Sequence, residues 1–396
     1  MPTDRSAPCR ARAGSRVLLA HPVGDLYGSD RVLVESVRAF AEAGWRATVT
    51  VGVDGPLRSL VEEAGADYVV TPFPVLRKAF ATPSGMASLI REVPGAWRSA
   101  AGLIAAERPD LVYVNTVTLP LWAAFARRLS VPVLCHVHEA EHALPAVVRS
   151  GLTAPLLAAH RVVANSDTTR DFLGSAMPLV QGRTVVVPNG VAGPPEPPGP
   201  PRERVDGRLR LVVVGRISPR KGTREAVEAL GRLVAEGVDA ELTVVGDVFP
   251  GYEWFLAEVR EVAASSGVAD RVAFTGQVPQ VWDALAASDI ALVPSHGESF
   301  GNAAVEAMLA HRPVVVSDTH GLRDIVRQGE NGLLFPPGDA AALAGVIRRA
   351  ADDWSGTVLR AGRARVEAEE RYTVHRYRRE IVRVATALAD SRSRAR

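Results

Sequence analysis

Short apolar runs rich in Val, Leu and Ala alternate with longer amphipathic stretches along the chain, and this alternation predicts strands and helices in turn. RVLLAHP (16–22), RATVTVG (46–52), LVYVN (111–115), VPVLCHV (131–137) and RVVANS (161–166) read as strands of the first half. LRLVVVG (209–215), AELTVVG (240–246), RVAFTG (271–276), IALVPS (290–295) and PVVVSD (313–318) read as strands of the second. Nearly continuous apolar strands separated by helices are what a parallel sheet covered on both faces requires, so the class is α/β. Between the two sets, residues 192–207 (AGPPEPPGPPRERVDG) are dense in proline. Proline can neither donate to a ladder nor continue a helix, so this stretch is expected to be an extended, semi-rigid linker. Two domains follow, 1–191 and 208–370, facing a central cleft at the carboxyl ends of their sheets, where such sheets bind ligands. Residues 371–396 are expected to form a helix returning toward the first domain.

Composition narrows the picture without redirecting it. A chain of 396 residues exceeds the usual single-core size, which agrees with two domains. A formal charge of +2 argues against a broad nucleic-acid surface, although Arg far outnumbers Lys. Two cysteines, Cys9 and Cys135, make neither a disulfide framework nor a metal site and fit a reducing cytosol. The basic N-terminal segment lacks the apolar stretch of a signal peptide, and no run approaches the ~20 apolar residues needed to span a bilayer. The expected location is cytoplasmic, compatible with peripheral contact at the inner face of a membrane.

Chemistry concentrates in the second half. In ESFGNAAVEAM (298–308) two carboxylates, Glu298 and Glu306, flank a Gly-Asn turn that should open a helix. Unpaired backbone N–H groups at Phe300, Gly301 and Asn302 would point out of that helix start toward an anion, most naturally a phosphate. The glutamates could grip hydroxyls on either side, which describes a holder for a sugar joined to a nucleotide. An isolated pair of solvated glutamates is the plainer alternative. GRISPRKG (215–222) follows the first strand of this half, with Gly215 and Gly222 permitting close approach and Arg216 and Lys221 supplying cations. A guanidinium and an ammonium together suit a diphosphate that becomes a leaving group; an exposed basic turn is the competing reading.

GRISPRKG, Glu298 with Glu306, VVVPNGV (185–191) and NGLLFPPGD (331–339) together resemble the retaining family 4 glycosyltransferases of the GT-B fold, two Rossmann-like domains. The resemblance covers nearly the whole chain. It implies transfer of a sugar from a nucleoside-diphosphate sugar, UDP or GDP more than ADP, to a hydroxyl acceptor with retention of configuration. Pathways of polysaccharide, glycolipid or secondary-metabolite synthesis all fit. It implies that Arg216 and Lys221 contact the donor diphosphate, that backbone amides from Phe300 to Asn302 meet phosphate or sugar, and that Glu298 lies near the donor sugar. Glu306 would bind the ribose hydroxyls, and backbone groups of Gln277 and Val278 would lie near the base. In VGDLYGSDR (23–31), Gly28 would approach the diphosphate and acceptor; paired glycines are a common family form, whereas Tyr27 precedes Gly28 here.

HVHEAEH (136–142) concentrates three imidazoles and two carboxylates at a strand end. His136 and His138 share a strand face and could ligate a cation with Glu139 or His142, or one of the two histidines could act alone at the cleft mouth. The resemblance implies that His138, followed by Glu139, contacts the donor sugar. No D-x-D-like pair stands in a suitable loop, so no metal and no other cofactor is expected. The aromatics Phe249, Trp254 and Phe255 are expected in the core, and Arg77, Lys78, Arg91 and Arg98 on a solvated face or beside the acceptor. His320 and Arg323 are read either as donor contacts or as surface. Two rival classes remain: a non-catalytic nucleotide-sugar binder, which would show no turnover, and a nicotinamide oxidoreductase, which would need the absent G-x-G-x-x-G turn.

Overall fold

The computed structural model of the protein describes residues 14–25, 28–76, 83–248 and 251–393. Cys9, Tyr27, Arg77, Lys78 and Phe249 lie outside them. The chain divides into two compact units, one running to Gly190 and resuming at Val374, the other spanning Val191–Thr373.

The first unit is built on a parallel sheet of seven strands in the order β3-β2-β1-β4-β5-β6-β7. The strands are β1 (Arg16–His21), β2 (Arg46–Val51), β3 (Asp67–Val70), β4 (Leu111–Val114), β5 (Val133–Val137), β6 (Arg161–Ala164) and β7 (Thr184–Val186). Central strands such as β4 and β5 are buried along their whole length because helices cover both faces, which is why they read as unbroken apolar runs. One face packs Val32, Val37 and Phe40 of the helix Gly28–Glu42. Tyr377, Ile381, Ala385 and Leu388 of the helix Val374–Ser393 join the same core at the spacing of one helix face. Arg378 links these two helices, its Nε 2.7 Å from Glu35 Oε2 and its Nη1 2.5 Å from Glu42. The opposite face packs Ile104, Trp122, Phe125 and Phe172.

The second unit carries a six-stranded parallel sheet, β10-β9-β8-β11-β12-β13. Its strands are β8 (Leu209–Val214), β9 (Ala240–Val245), β10 (Val272–Gly276), β11 (Ile290–Val293), β12 (Val314–Ser317) and β13 (Leu333–Phe335). Two apolar layers enclose it, one containing Leu230, Phe255 and Ile347, the other Phe300, Met308 and Tyr372.

The proline-dense stretch differs from its expected role. It lies on the second unit as a strap: Arg202 donates to the buried Asp289 carboxylate at 2.8 Å, the Trp354 indole N–H donates to Arg202 O at 2.8 Å, and Arg312 donates to Gly199 O at 2.6 Å. Proline stiffness keeps the backbone extended, and these three polar anchors fix it to one surface. The aromatic cluster also differs in part, with Phe255 in the core and Trp254 57% exposed. Phe255 and Trp254 are consecutive on one helix, so they cannot face the same side. Among the described residues no helix is long and apolar enough to cross a membrane.

Candidate active site

In each sheet the strand order reverses next to the first strand of the unit, between β1 and β4 and between β8 and β11. The loops leaving two such strands turn to opposite faces and open a crevice at their carboxyl ends. Residues 215–222 and 294–301 leave the two strands of the second crevice, and His21 and Asn115 end those of the first.

In the second unit, residues 215–222 follow β8 and residues 294–301 follow β11, and the two loops interlock. Gly222 has φ +67°, and a Cβ there would lie 1.9 Å from Pro294 O, so only glycine permits this approach. His296 N donates to Arg220 O at 2.9 Å, and Arg220 Nε donates to Gly297 O at 2.9 Å. At the centre Lys221 Nζ donates to Glu298 Oε1 at 2.6 Å, with Ser295 Oγ donating to the same oxygen at 2.8 Å. Burial alone would raise the Glu298 carboxyl, but the Lys221 ammonium, Ser295 and Arg220 outweigh it and hold the group below its ordinary value. The site therefore keeps an ionised carboxylate beside a cation, with the Glu298 side chain 12% and Lys221 26% exposed.

Beyond Glu298 the chain enters the helix Asn302–Leu309 through Gly301, at φ +124°. A Cβ on Gly301 would lie 2.6 Å from Leu322 Cδ2. The Phe300 ring is buried edge-on against Tyr372, so this residue can offer a ligand only its backbone. Glu306 stands half-buried one turn into the helix. Arg216 is exposed just after β8, and Gln277 and Val278 follow the edge strand β10, Gln277 exposed and Val278 half-buried. His320 and Arg323 are exposed, and Arg323 is engaged by Asp318 at 2.8 Å. Arg91 and Arg98 are exposed and bond back to carbonyls of their own helix.

In the first unit, polar residues cap the carboxyl ends of β1, β4 and β5, which are neighbours in the sheet. His21 Nε2 lies 2.8 Å from Asp30 Oδ1, Asn115 Nδ2 lies 3.1 Å from His21 Nδ1, and Asn115 Oδ1 lies 3.0 Å from His138 Nε2. Burial drives the His138 imidazole down to about 3, His21 adding to the fall and Asp30 opposing it, so the ring is neutral near pH 7. Burial raises the Glu139 carboxyl, against hydrogen bonds from Thr116 and from the backbone N–H of His138 at 3.0 Å. Glu139 thus braces the turn that carries His138. His136 is fully buried with its Nδ1 2.5 Å from Tyr113 OH, a core position. Gly28 opens the helix that carries Asp30 and is exposed. Among the described residues no group of three His, Cys, Asp or Glu side chains converges as metal ligands. Cys135 is buried and its thiol pushed up to about 12, which leaves it inert.

The profile described as Glycosyltransferase Family 4 matches residues 27–192, and that described as Glycosyl transferases group 1 matches residues 208–353. A 2-deoxystreptamine glucosyltransferase of Streptomyces kanamyceticus is 32% identical over 82% of this chain and 90% of its own length. The chain belongs to the family 4, group 1 glycosyltransferases. A 2-deoxystreptamine N-acetyl-D-glucosaminyltransferase of Streptomyces fradiae is 31% identical over 80% of this chain and 79% of its own. Among solved structures, Anabaena Alr3699/HepE in complex with UDP and glucose matches with a TM-score of 0.78 at 22% identity, over 94% of this chain and 100% of that one. At that identity the likeness is one of fold, and the fold is GT-B.

For this glycosyltransferase the sequence singled out Lys221, Glu298 and His138 as candidates but not the groups that hold them. Ser295, His21, Asp30 and Asn115 went unnoticed as site residues. A signal was present for three of the four: an apolar strand ending in a polar residue, as in RVLLAH, LVYVN and IALVPS, places that residue at the carboxyl edge of the sheet.

Proposed function

We propose that this glycosyltransferase takes a hexose from a nucleoside-diphosphate donor, UDP first and GDP second, and passes it to a hydroxyl of a small polyol acceptor with retention of configuration and without a metal ion. The observation that carries this reading is the Lys221–Glu298 pair, set where the strand order reverses and one turn before a helix start. A cation beside a helix start favours a diphosphate. The neighbouring carboxylate favours sugar hydroxyls and opposes positive charge at carbon. UDP on Alr3699/HepE supports the choice of base, and the acceptor named for the two Streptomyces relatives supports a polyol of secondary metabolism.

The reaction breaks the bond from the anomeric carbon to the diphosphate oxygen and forms one to the acceptor oxygen. Negative charge grows on the diphosphate, where Lys221, Arg216 and the amides near Gly301 stabilise it without reorganising. His138, neutral, accepts a hydrogen bond from a sugar hydroxyl. Thermal shift across UDP-, GDP- and ADP-sugars, followed by turnover and determination of the product anomer, tests the reading. Stabilisation without turnover would leave a binding protein, and an inverted product would refute retention.

Two further results are expected. Activity should survive exhaustive chelation, and metal-dependent recovery of lost activity would refute metal independence. Glu306→Gln should raise the donor KM about tenfold while kcat changes little, since a ribose contact is the same in ground and transition states. An unchanged KM would remove Glu306 from the ribose site.

A further inference from the structure

Resting on the reading of His138 above, we propose that Asp30, His21 and Asn115 form a positioning relay that fixes the His138 proton on Nε2 and leaves Nδ1 as an acceptor for a substrate hydroxyl. Asp30 is the member whose role is set by chemistry. An ionised carboxylate can only accept, so at 2.8 Å from Asp30 Oδ1 the His21 Nε2 must carry a proton. Where His21 carries that one proton, the other nitrogen is a lone pair, and His21 Nδ1 receives its hydrogen bond from Asn115 Nδ2 at 3.1 Å.

The Asn115 amide has a second anchor, because Nδ2 also faces Ser29 O at 3.5 Å. A flipped amide would set two carbonyl oxygens against each other there. With Nδ2 committed to that side, Asn115 Oδ1 turns to His138 Nε2 at 3.0 Å, and an oxygen acceptor requires a proton on that nitrogen. Each step alternates donor and acceptor, and the carboxylate fixes the phase of the whole chain.

The consequence falls on His138 Nδ1. It is sealed from solvent and meets no donor among the described residues, although the other ring nitrogen is satisfied. A buried acceptor left unpaired is unfavourable, and such groups in native proteins usually await a partner. A hydroxyl can supply the missing donor, whereas a phosphate oxygen cannot. The relay thus selects for the sugar or the acceptor alcohol at this point and against the diphosphate. His21 and Asn115 are joined in turn by the backbone, Asn115 N donating to Ala20 O at 3.0 Å, so the relay moves with the sheet edge.

Histidine-selective ¹⁵N NMR on the full-length protein tests the proposal directly. The His138 resonances, assigned by their loss in His138→Gln, should show a protonated Nε2 and a bare Nδ1. Addition of the nucleotide sugar found by the donor screen should shift Nδ1 upfield, as for an acquired hydrogen bond. A His138 protonated on Nδ1 overturns the relay outright. Asn115→Leu and Asp30→Asn should cost at least tenfold in kcat with a smaller change in donor KM, and Asp30→Glu should restore part of the loss. If either variant fails to fold, the tautomer in the unaltered protein still decides. The expected tautomer together with normal transfer by His138→Gln would leave the relay standing and refute the role of His138 in transfer, so the two failures are distinguishable.

Discussion

Lys221→Ala is expected to lower kcat/KM by at least ~10²-fold, the scale for losing one preorganised charge at a leaving group. Two consequences of the geometry separate this loss from general damage. Removing the ammonium takes away a charge for the diphosphate and leaves Glu298 buried without the cation 2.6 Å away. In the unaltered protein Glu298 sits below its ordinary value, so its contribution to stability is present above the unfolded carboxyl value and disappears as pH falls through the depressed one. In Lys221→Ala, burial is no longer outweighed by Lys221 and the carboxyl moves up. The difference in Tm between the two proteins should therefore be largest near neutrality and shrink toward acid, and the acid limb of activity should move to higher pH. A full rate in the variant, or a Tm difference independent of pH, would remove Lys221 from this role. Lys221→Arg is expected to restore the charge but not the rate, because a planar fork does not replace a compact point charge between two interlocked loops.

The chain itself underlines Lys221. Of 46 Lys and Arg residues only Lys78 and Lys221 are lysine. Lys221 is thus one of two positions where the cation is not an arginine.

The long central strands were legible because burial on both faces writes an unbroken apolar run into the sequence, as in LRLVVVG and PVVVSD. β3, β7 and β13 were not read as strands. They stand at or beside sheet edges, β7 and β13 with three residues each, too short for any periodicity to show. The strap at 192–207 was legible in conformation but not in placement, since its anchor Asp289 lies far along the chain and its need for Arg202 and Arg210 exists only after folding. The same limit applied to the candidate site. Glu298 and Lys221 were each found from local motifs, but their contact bridges 77 positions and follows from β8 pairing with β11, which the order of the strands in sequence does not state. The relay from Asp30 to His138 draws on three strand ends and a helix, and no window of sequence contains it.

Glu298→Gln should lower kcat by about 10²-fold or more while changing donor KM far less. A glutamine keeps the size and can still accept from Ser295, which reaches Oε1 at 2.8 Å, so the loop should hold its path. What it loses is charge. As the bond to the diphosphate breaks, positive charge develops at the anomeric carbon, and an ionised carboxylate held nearby in a water-poor site stabilises that charge in the transition state only. Loss of the carboxylate also leaves the Lys221 ammonium without its counter-charge, although the amide oxygen can still accept from it, and at 26% exposure water offsets part of that cost. A bound diphosphate can repair it by pairing with the lysine. Donor affinity should therefore hold steady or improve as turnover falls, and steady-state kinetics beside direct titration with the nucleoside diphosphate would show the split. Normal kcat with weakened donor binding would reverse the division of labour between Glu298 and Glu306. An unchanged enzyme would mean that the contact with Lys221 serves only to join two loops.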